Sequence, residues 1–398
     1  MALALFKKKE GEGKESSRDK KEKKKLSKIS GQYKQKVKKS APVMVGIDIG
    51  SVEIKVAAGQ YRNGEIQVKK VCGAALPERA VADEKIVREQ EVGMVIKNLL
   101  RENKIKEKKA ACAMESTLVL RREITVPAVG KDDLPNIIKY EIGQYMPVDI
   151  ASYILQYKVT SVENGKLKVN VCAMPRDTAL QYQSMVKSAK LQPLSFDLHT
   201  NGLEKLIYLE DIKAKGFMDK NLMFIDMGHN QFNISFFSKG HCLFSKKLEL
   251  GGYMLDQVFF TNLDVGAKKV EELKIRNLTR LGIPEISKCY YHLTMQEDKN
   301  SDQEDIILME IMRVVDKWAE EIGDVLQYLL SREESSHIDK VYLYGGCSKI
   351  KELDAYLSTR LNIEISSLTG LSCLKQNKKV ASDAFITYLN AICALIRF

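Results

Sequence analysis

The sequence predicts an α/β protein of two lobes, each begun by the same strand-turn-strand unit. Three observations carry this. The run VMVGIDIG at 43–50 leads into EIKVAAGQY and EIQVKKVCGAAL, short β-rich stretches parted by Gly, Ser and Asn-Gly, which read as consecutive antiparallel strands. The same texture returns at LMFIDMG, followed by NISFFSKGHCLFSKKLELGG, so the chain starts one unit twice. Between and after these blocks, stretches with apolar residues at helical spacing alternate with strands, as a packed α/β fold requires.

Each element follows from local pattern. YRNGEI is a hairpin turn signal. Residues 85–103, with Val87, Val92, Val95, Ile96, Leu99 and Leu100 on one side, predict a helix, and KAACAM a strand after it. A second region, 116–191, opens with the strand LVLRREITV and a helix over 133–146, where Leu134, Ile137, Ile138, Ile142, Tyr145 and Met146 fall at helical spacing before Pro147 stops it. Strands at 153–161 and 166–173 flank the turn ENGK, and a helix follows Pro175. In the third region helices are expected at 253–260, 268–280 and 306–330. The last has an apolar stripe of Ile307, Ile311, Val314, Trp318, Ile322, Val325 and Leu329 that marks core and not a cofactor box. The strand VYLYGGCSK and helices at 350–361 and 382–398 close the chain.

Composition narrows the function classes. The chain has 398 residues, 44% hydrophobic and 29% charged, which is globular, and no apolar run reaches the roughly 18 residues a membrane span needs. Eight scattered cysteines without a CxxC pair argue against disulfides and structural zinc and for a reducing cytoplasm. The net charge is +11, and residues 1–40 hold 15 Lys and Arg against 5 acids, so the rest of the chain is close to neutral. Charge confined to a Lys-rich, aromatic-poor leader does not describe a specific nucleic-acid binder; it predicts a disordered segment. MALALF precedes the charges, the wrong order for a secretory signal. The leader reads either as a solvated tail or as a weak contact with an anionic membrane surface through Lys7, Lys8 and Lys9.

No GxxxxGK[ST] and no GxGxxG is present, so a P-loop machine is excluded. What remains is Asp-x-Gly at two strand ends, Asp48-Ile49-Gly50 and Asp226-Met227-Gly228. Such a turn brings backbone N–H groups close to phosphate oxygens while the carboxylate holds Mg²⁺ or its waters. Chance supplies about one such triplet in a chain of this make-up, and Asp264-Val265-Gly266, outside any strand pattern, is set aside as that one. The ordered set of two strand-end triplets and a later strand-glycine-helix junction, LYGGCSKI, is much rarer than its members.

GIDIGSVEIK, FIDMGHNQFNISFF and YLYGGCSKI resemble the phosphate-1, phosphate-2 and adenosine motifs of the actin-like ATPase superfamily. Longer stretches narrow this. LRREITVPAV with LPNIIKYEIGQYMPVDI, then VNVCAMPRDTALQYQSMVKSAKLQPLSFDL and the closing ITYLNAICALIR, resemble the PilM family of type IV pilus assembly proteins, relatives of FtsA, over residues 43–398.

The resemblance implies an actin-like fold, a duplicated ribonuclease-H-like pair of lobes with an FtsA/PilM-type 1C subdomain. It divides the chain into a leader (1–40), lobe 1 (41–115), the partner-binding 1C insertion (116–191) and a return to lobe 1 (192–219). Lobe 2 follows (220–265), then subdomain 2B (266–338), a return to lobe 2 (339–370) and a C-terminal helix packing on lobe 1 (371–398). It places Asp48, Gly50, Ser51 and Lys55 around the first phosphate turn and Asp226 and Gly228 around the second. Gly251 and Gly252 would lie beside the nucleotide, Glu271 and Lys274 near ribose and base, and Gly345 and Gly346 under the nucleoside. For Glu271 and Lys274 a solvated i,i+3 ion pair is an equal alternative. ATP is the implied cofactor, with Mg²⁺ held through water by Asp48 and Asp226.

Val52, Phe232, Tyr344 and Cys347 depart from the hydroxyl or small residues of the pattern, which predicts a degenerate pocket crowded or short of donors. Slow hydrolysis or none is expected. The implied partner is the cytoplasmic N-terminal segment of PilN, a single-span inner-membrane protein. Ile138, Ile142, Tyr145 and Met146 are expected to wall its groove, or else to pack as core. A PilB-type motor and self-association complete the implied partners, at the inner face of the cell membrane. Two alternatives stand beside this: an FtsA-like filament tether, which would need a C-terminal amphipathic anchor absent after ALIRF, and a small-molecule kinase, which would need a general-base Asp.

Overall fold

The computed structural model describes residues 40–398 except 83, 146–148, 264–265, 267–268, 271, 275–277, 279–281, 284–285, 288–302, 333–336, 377–383 and 398. The leader, Met146, Glu271 and most of the expected helix at 268–280 therefore lie outside the described residues.

In chain order the elements are β1 (Met44–Ile49), β2 (Glu53–Arg62), β3 (Glu65–Ala75), the short β4 (Val81–Ala82) and β5 (Lys85–Ile86), α1 (Glu89–Glu102) and β6 (Lys109–Met114). Then come β7 (Leu120–Pro127), α2 (Leu134–Gly143), β8 (Tyr153–Glu163), β9 (Lys166–Pro175), α3 (Arg176–Ser188), β10 (Gln192–Leu198) and α4 (His199–Ala214). The second half runs β11 (Leu222–Met227), β12 (Phe232–Ser238), β13 (His241–Leu248), α5 (Tyr253–Asn262), α6 (Gln303–Leu330) and β14 (Lys340–Tyr344). It ends with α7 (Leu353–Leu361), β15 (Ile365–Ser367), β16 (Leu374–Gln376) and α8 (Ala384–Cys393).

Two compact units result: one contains Ser116–Ala179, and the other Val37–Glu115 with Leu180–Phe398. The larger unit holds two sheets of one topology. In the first the order is β3-β2-β1-β6-β10, extended at β3 by β16; in the second it is β13-β12-β11-β14-β15. In each, the first strand pairs antiparallel with the second and the second with the third, and the fourth and fifth are added parallel on the other side of the first. The repetition read from the two strand-turn-strand blocks is thus a repetition of whole sheets.

Local chemistry explains the elements. Asn63-Gly64 and Asn164-Gly165 both take positive φ, the conformation a two-residue hairpin needs, and close β2–β3 and β8–β9. The helix expected over 85–103 starts later, at Glu89. Lys85 and Ile86 instead pair back on Val81 and Ala82 across a turn in which Glu84 sits at φ 62°. The helix expected from 350 starts at Leu353, because Glu352 ahead of it is left-handed and Cys347–Lys349 form a 3₁₀ turn. Of the α6 stripe, Ile307, Ile311, Trp318, Ile322, Val325 and Leu329 are buried in the core under the second sheet. There Phe232 meets Trp318 edge-on, ring centroids 5.1 Å apart.

Under the first sheet the C-terminal helix fills the core. A Cβ on Gly46 would fall 1.8 Å from the carbonyl oxygen of Ala391, so β1 and α8 touch backbone to backbone. Behind α8, Lys205 donates to Asp197 Oδ2 (2.9 Å) and to the Ile396 carbonyl (3.0 Å), and Arg397 reaches the same carboxylate. This ties the chain end to β10 and α4.

The smaller unit is a sheet of order β7-β9-β8, with α2 on the face formed by Ile124, Val126, Leu167, Val169 and Val171. The second half of α3, from Leu180, belongs to the larger unit, where Ser188 Oγ donates to the Glu89 carbonyl at the start of α1.

Candidate functional site

Parallel strands bring their C-terminal ends to one edge, and in open α/β sheets that edge collects functional groups. Asp48 and Asp226 are the last residues but one of β1 and β11, and His199 directly follows β10 as the first residue of α4. The structure brings the three together. His199 Nε2 lies 3.0 Å from Asp48 Oδ1, and its Nδ1 lies 3.9 Å from Asp226 Oδ2. Behind Asp226, Asn390 Nδ2 donates to Oδ2 at 2.8 Å, and the Tyr344 hydroxyl donates to Asn390 Oδ1 at 3.3 Å. Lys55 faces Asp48 across the β1–β2 register, and its charge favours the ionised form of both carboxyls.

The electrostatics are uneven. Burial alone would raise the Asp48 carboxyl, but the charge and hydrogen bond of His199, with Lys55, overcome it and hold Asp48 below the ordinary carboxylate value. Burial likewise opposes charge on His199, and the Asp48 charge and hydrogen bond reverse this and raise it. For Asp226 burial wins and the carboxyl is raised, because Lys55 and His199 offset it only in part and Asp48 adds repulsion.

The glycine turns surround this group. Gly50 N donates to the Glu53 carbonyl (2.9 Å) and Gly228 N to that of Gln231 (3.1 Å), each closing its strand-end turn. Ser51 is exposed beside the first turn. Gly345 has φ 92°, and a Cβ there would fall 2.5 Å from Asp226 Oδ1, so the third turn passes directly over that carboxylate. A Cβ on Gly346 would meet open space. Gly251 packs on the His229 carbonyl, and Gly252 N donates to the Gly228 carbonyl at 3.2 Å. Lys274 Nζ is bonded to Asp256 Oδ1 at 2.7 Å, and His229 Nε2 lies 3.8 Å from Asp256 Oδ2. Lys274 therefore has a partner on α5.

Two expected obstructions are corrected. The Phe232 ring is fully buried against Trp318 in the second core and adds no bulk beside a ligand. Tyr344 is buried with its hydroxyl on Asn390, and so supports Asp226. Cys347 does narrow the site: its Sγ lies 3.4 Å from the Gly228 carbonyl, bridging the second and third turns.

In the smaller unit, Ile138 and Ile142 are buried in the core beneath α2, so they do not wall an open groove; the sheet has taken the apolar stripe. Tyr145 is half exposed, its ring under the Arg122 guanidinium at 3.9 Å. The other flank of α2 borders a shallow trough of about 480 Å³ lined by Asn136, Lys139, Tyr140, Gly143, Gln144 and Ile150. Tyr140, 70% exposed, is its most prominent group.

His199, Asn390 and Asp256 are the residues that sequence reasoning missed. For His199 a signal existed: Phe-Asp-Leu-His ends a strand and opens a helix, the same edge position as Asp48. Asn390 lies inside the apolar α8, where only tertiary packing reveals its direction.

A cation-bearing nucleotide fits this donor set in part. Two buried carboxylates flank one imidazole, its Nδ1 is buried without a hydrogen-bond partner, and the third turn leaves room over Gly346. Among the described residues no group of three or more His, Cys, Asp or Glu side chains is placed to hold a metal ion, so a cation must bring phosphate or water ligands with it.

A family model described as type IV pilus assembly protein PilM matches residues 46–282. Among solved structures, a PilM-PilN type IV pilus biogenesis complex is 17% identical with a TM-score of 0.71, over 89% of this chain and 98% of that one. The ethanolamine utilization protein EutJ from Carboxydothermus hydrogenoformans is 14% identical with a TM-score of 0.49, over 89% and 90%. MreB 5 of Spiroplasma citri bound to AMPPNP is 10% identical with a TM-score of 0.46, over 88% and 94%.

Proposed function

Since the chain belongs to the type IV pilus assembly protein PilM family and has its actin-like, two-lobed fold, we propose that it is the scaffold that receives the cytoplasmic N-terminal segment of a PilN-like inner-membrane protein. The family match carries this reading, and it runs through the whole of the smaller unit, 116–179. With Ile138 and Ile142 spent on the core, the receiving surface is the outer flank of α2, where Tyr140 supplies a rigid aromatic anchor and Lys139, Asn136 and Gln144 supply polar contacts. The unit is the 1C subdomain of this reading, and the two like sheets are lobes 1 and 2. A PilB-type motor is a further partner of such a scaffold.

In the cleft, Asp48 and Asp226 would hold the cation of a bound ATP through water, with Gly50, Ser51 and Lys55 at one phosphate turn and Gly228, Gly251 and Gly252 at the other. Gly345 and Gly346 would pass under the nucleoside. When bound, the nucleotide supplies negative charge and contacts to both lobes at once. The chain's own part is to orient it, and a preference for one lobe arrangement makes it a conformational ligand instead of a fuel. No helix among the described residues is long and apolar enough to cross a membrane. Its place at the inner membrane face would come from the PilN-like partner and the basic leader.

Calorimetric titration of the full chain with the N-terminal peptide of a PilN-like protein, with and without MgATP, tests the reading. Saturable binding is expected, weakened at least about tenfold, or 1.4 kcal/mol, by Tyr140→Ala. No heat of binding under either condition removes the proposed partner.

A further inference from the structure

The imidazole of His199 stands between the two carboxylates that the nucleotide reading assigns to a cation. It is held at the Asp48 end by a 3.0 Å contact and faces Asp226 at 3.9 Å with a nitrogen that has no hydrogen-bond partner. The ring is 11% exposed, so it sits almost wholly inside the protein. Its backbone is fixed: Leu198 before it is extended and caps α4, and Asn201 Nδ2, two residues on, donates to Asp197 Oδ1 at 2.9 Å. Asp226 Oδ2, the oxygen that faces the ring, also accepts from the neutral Asn390 amide at 2.8 Å.

We propose that His199 is a built-in competitor for a nucleotide-borne divalent cation: it fills the place between Asp48 and Asp226, so cation-nucleotide binding and the His199–Asp48 contact exclude each other. A carboxylate oxygen that accepts from the ring cannot at the same time orient a cation-bound water in that direction. The side chain thereby sets how weakly the cleft takes its ligand and holds the two acids in position without it. This rests on the nucleotide part of the reading above and not on the peptide part.

Mn²⁺ with ADP is the probe, followed by electron paramagnetic resonance and by thermal melting on the full chain. His199→Ala is expected to bind Mn²⁺-ADP at least about tenfold tighter than the parent. Its melting temperature should be lower than the parent's without ligand and raised more than the parent's with it. His199→Asn, which keeps a polar side chain but is too short to bridge, should act in the same direction and serves if the alanine variant does not fold. Adding Asp48→Asn to either variant should abolish the gain. Measurable binding that is equal or weaker in both His199 variants overturns the competitor role alone. No Mn²⁺-ADP binding to parent or variants overturns it together with the nucleotide-site reading.

Discussion

Asp48 and His199 form a pair whose energetics depend on pH in a defined way. His199 is raised above its ordinary value, so the stability it contributes is fully present below the unfolded imidazole's pKa and is lost as pH climbs through the folded one. Asp48 is lowered, so its contribution is present above the unfolded carboxyl's pKa and is lost as pH falls through the folded one. Urea denaturation of the parent and His199→Asn should therefore show their largest stability difference in mildly acidic to neutral solution, shrinking as pH rises past the raised imidazole value. A difference that grows toward alkaline pH would contradict the assignment. Asp48 and Asp226 were legible as residues because strand-end Asp-x-Gly is a local pattern. His199 and Asn390 were not, because neither is near either acid in sequence and only the parallel arrangement of β1, β6 and β10 and the path of α8 bring them there. Phe232 shows the converse: its place on a strand was legible and its direction was not, since strand alternation alone could not say which face Trp318 would cover.

At the scale of elements, the hairpins were the most legible features. Asn-Gly dictates a tight turn by its own backbone preference, whatever surrounds it. Helix starts were less so: Lys85 and Ile86 fit a helical period but are claimed by pairing with Val81 and Ala82, a contact that periodicity does not register. The helix of greatest architectural consequence is α8. Because β1 approaches it through Gly46, Gly46→Val drives a branched side chain into the Ala391 carbonyl, and the adjustment involves backbone on both sides. A loss of about 1–3 kcal/mol or more in denaturant unfolding is expected, with the hairpin β12–β13 intact by hydrogen exchange. An unchanged stability would mean that α8 does not sit on β1 as described. The apolar stripe of α2 was found from spacing, but spacing could not tell core from groove; the three-stranded sheet beneath it settled that Ile138 and Ile142 are core.

For the whole molecule, the two sheets with one strand order put Asp48 and Asp226 at equivalent places, near the ends of first strands, and this is why two distant triplets meet in one site. The charge distribution acts at the same scale. Nearly all the net charge lies in residues 1–40, and near an anionic surface each basic residue contributes about 1 kcal/mol. A chain lacking residues 1–39 should lose its salt-sensitive co-sedimentation with anionic lipid vesicles while its melting temperature stays that of the parent. Retention of vesicle binding would place the membrane contact elsewhere. The sequence by itself determined the repeated strand-turn-strand unit, the hairpins, the acid at each strand end and the family, because these depend on residues adjacent along the chain. Only the tertiary structure decided that a histidine from β10's end stands between the two acids, that an asparagine of α8 backs one of them and that α2 spends its apolar face on the sheet. These depend on which surfaces meet, and that is fixed by the packing of elements far apart in sequence.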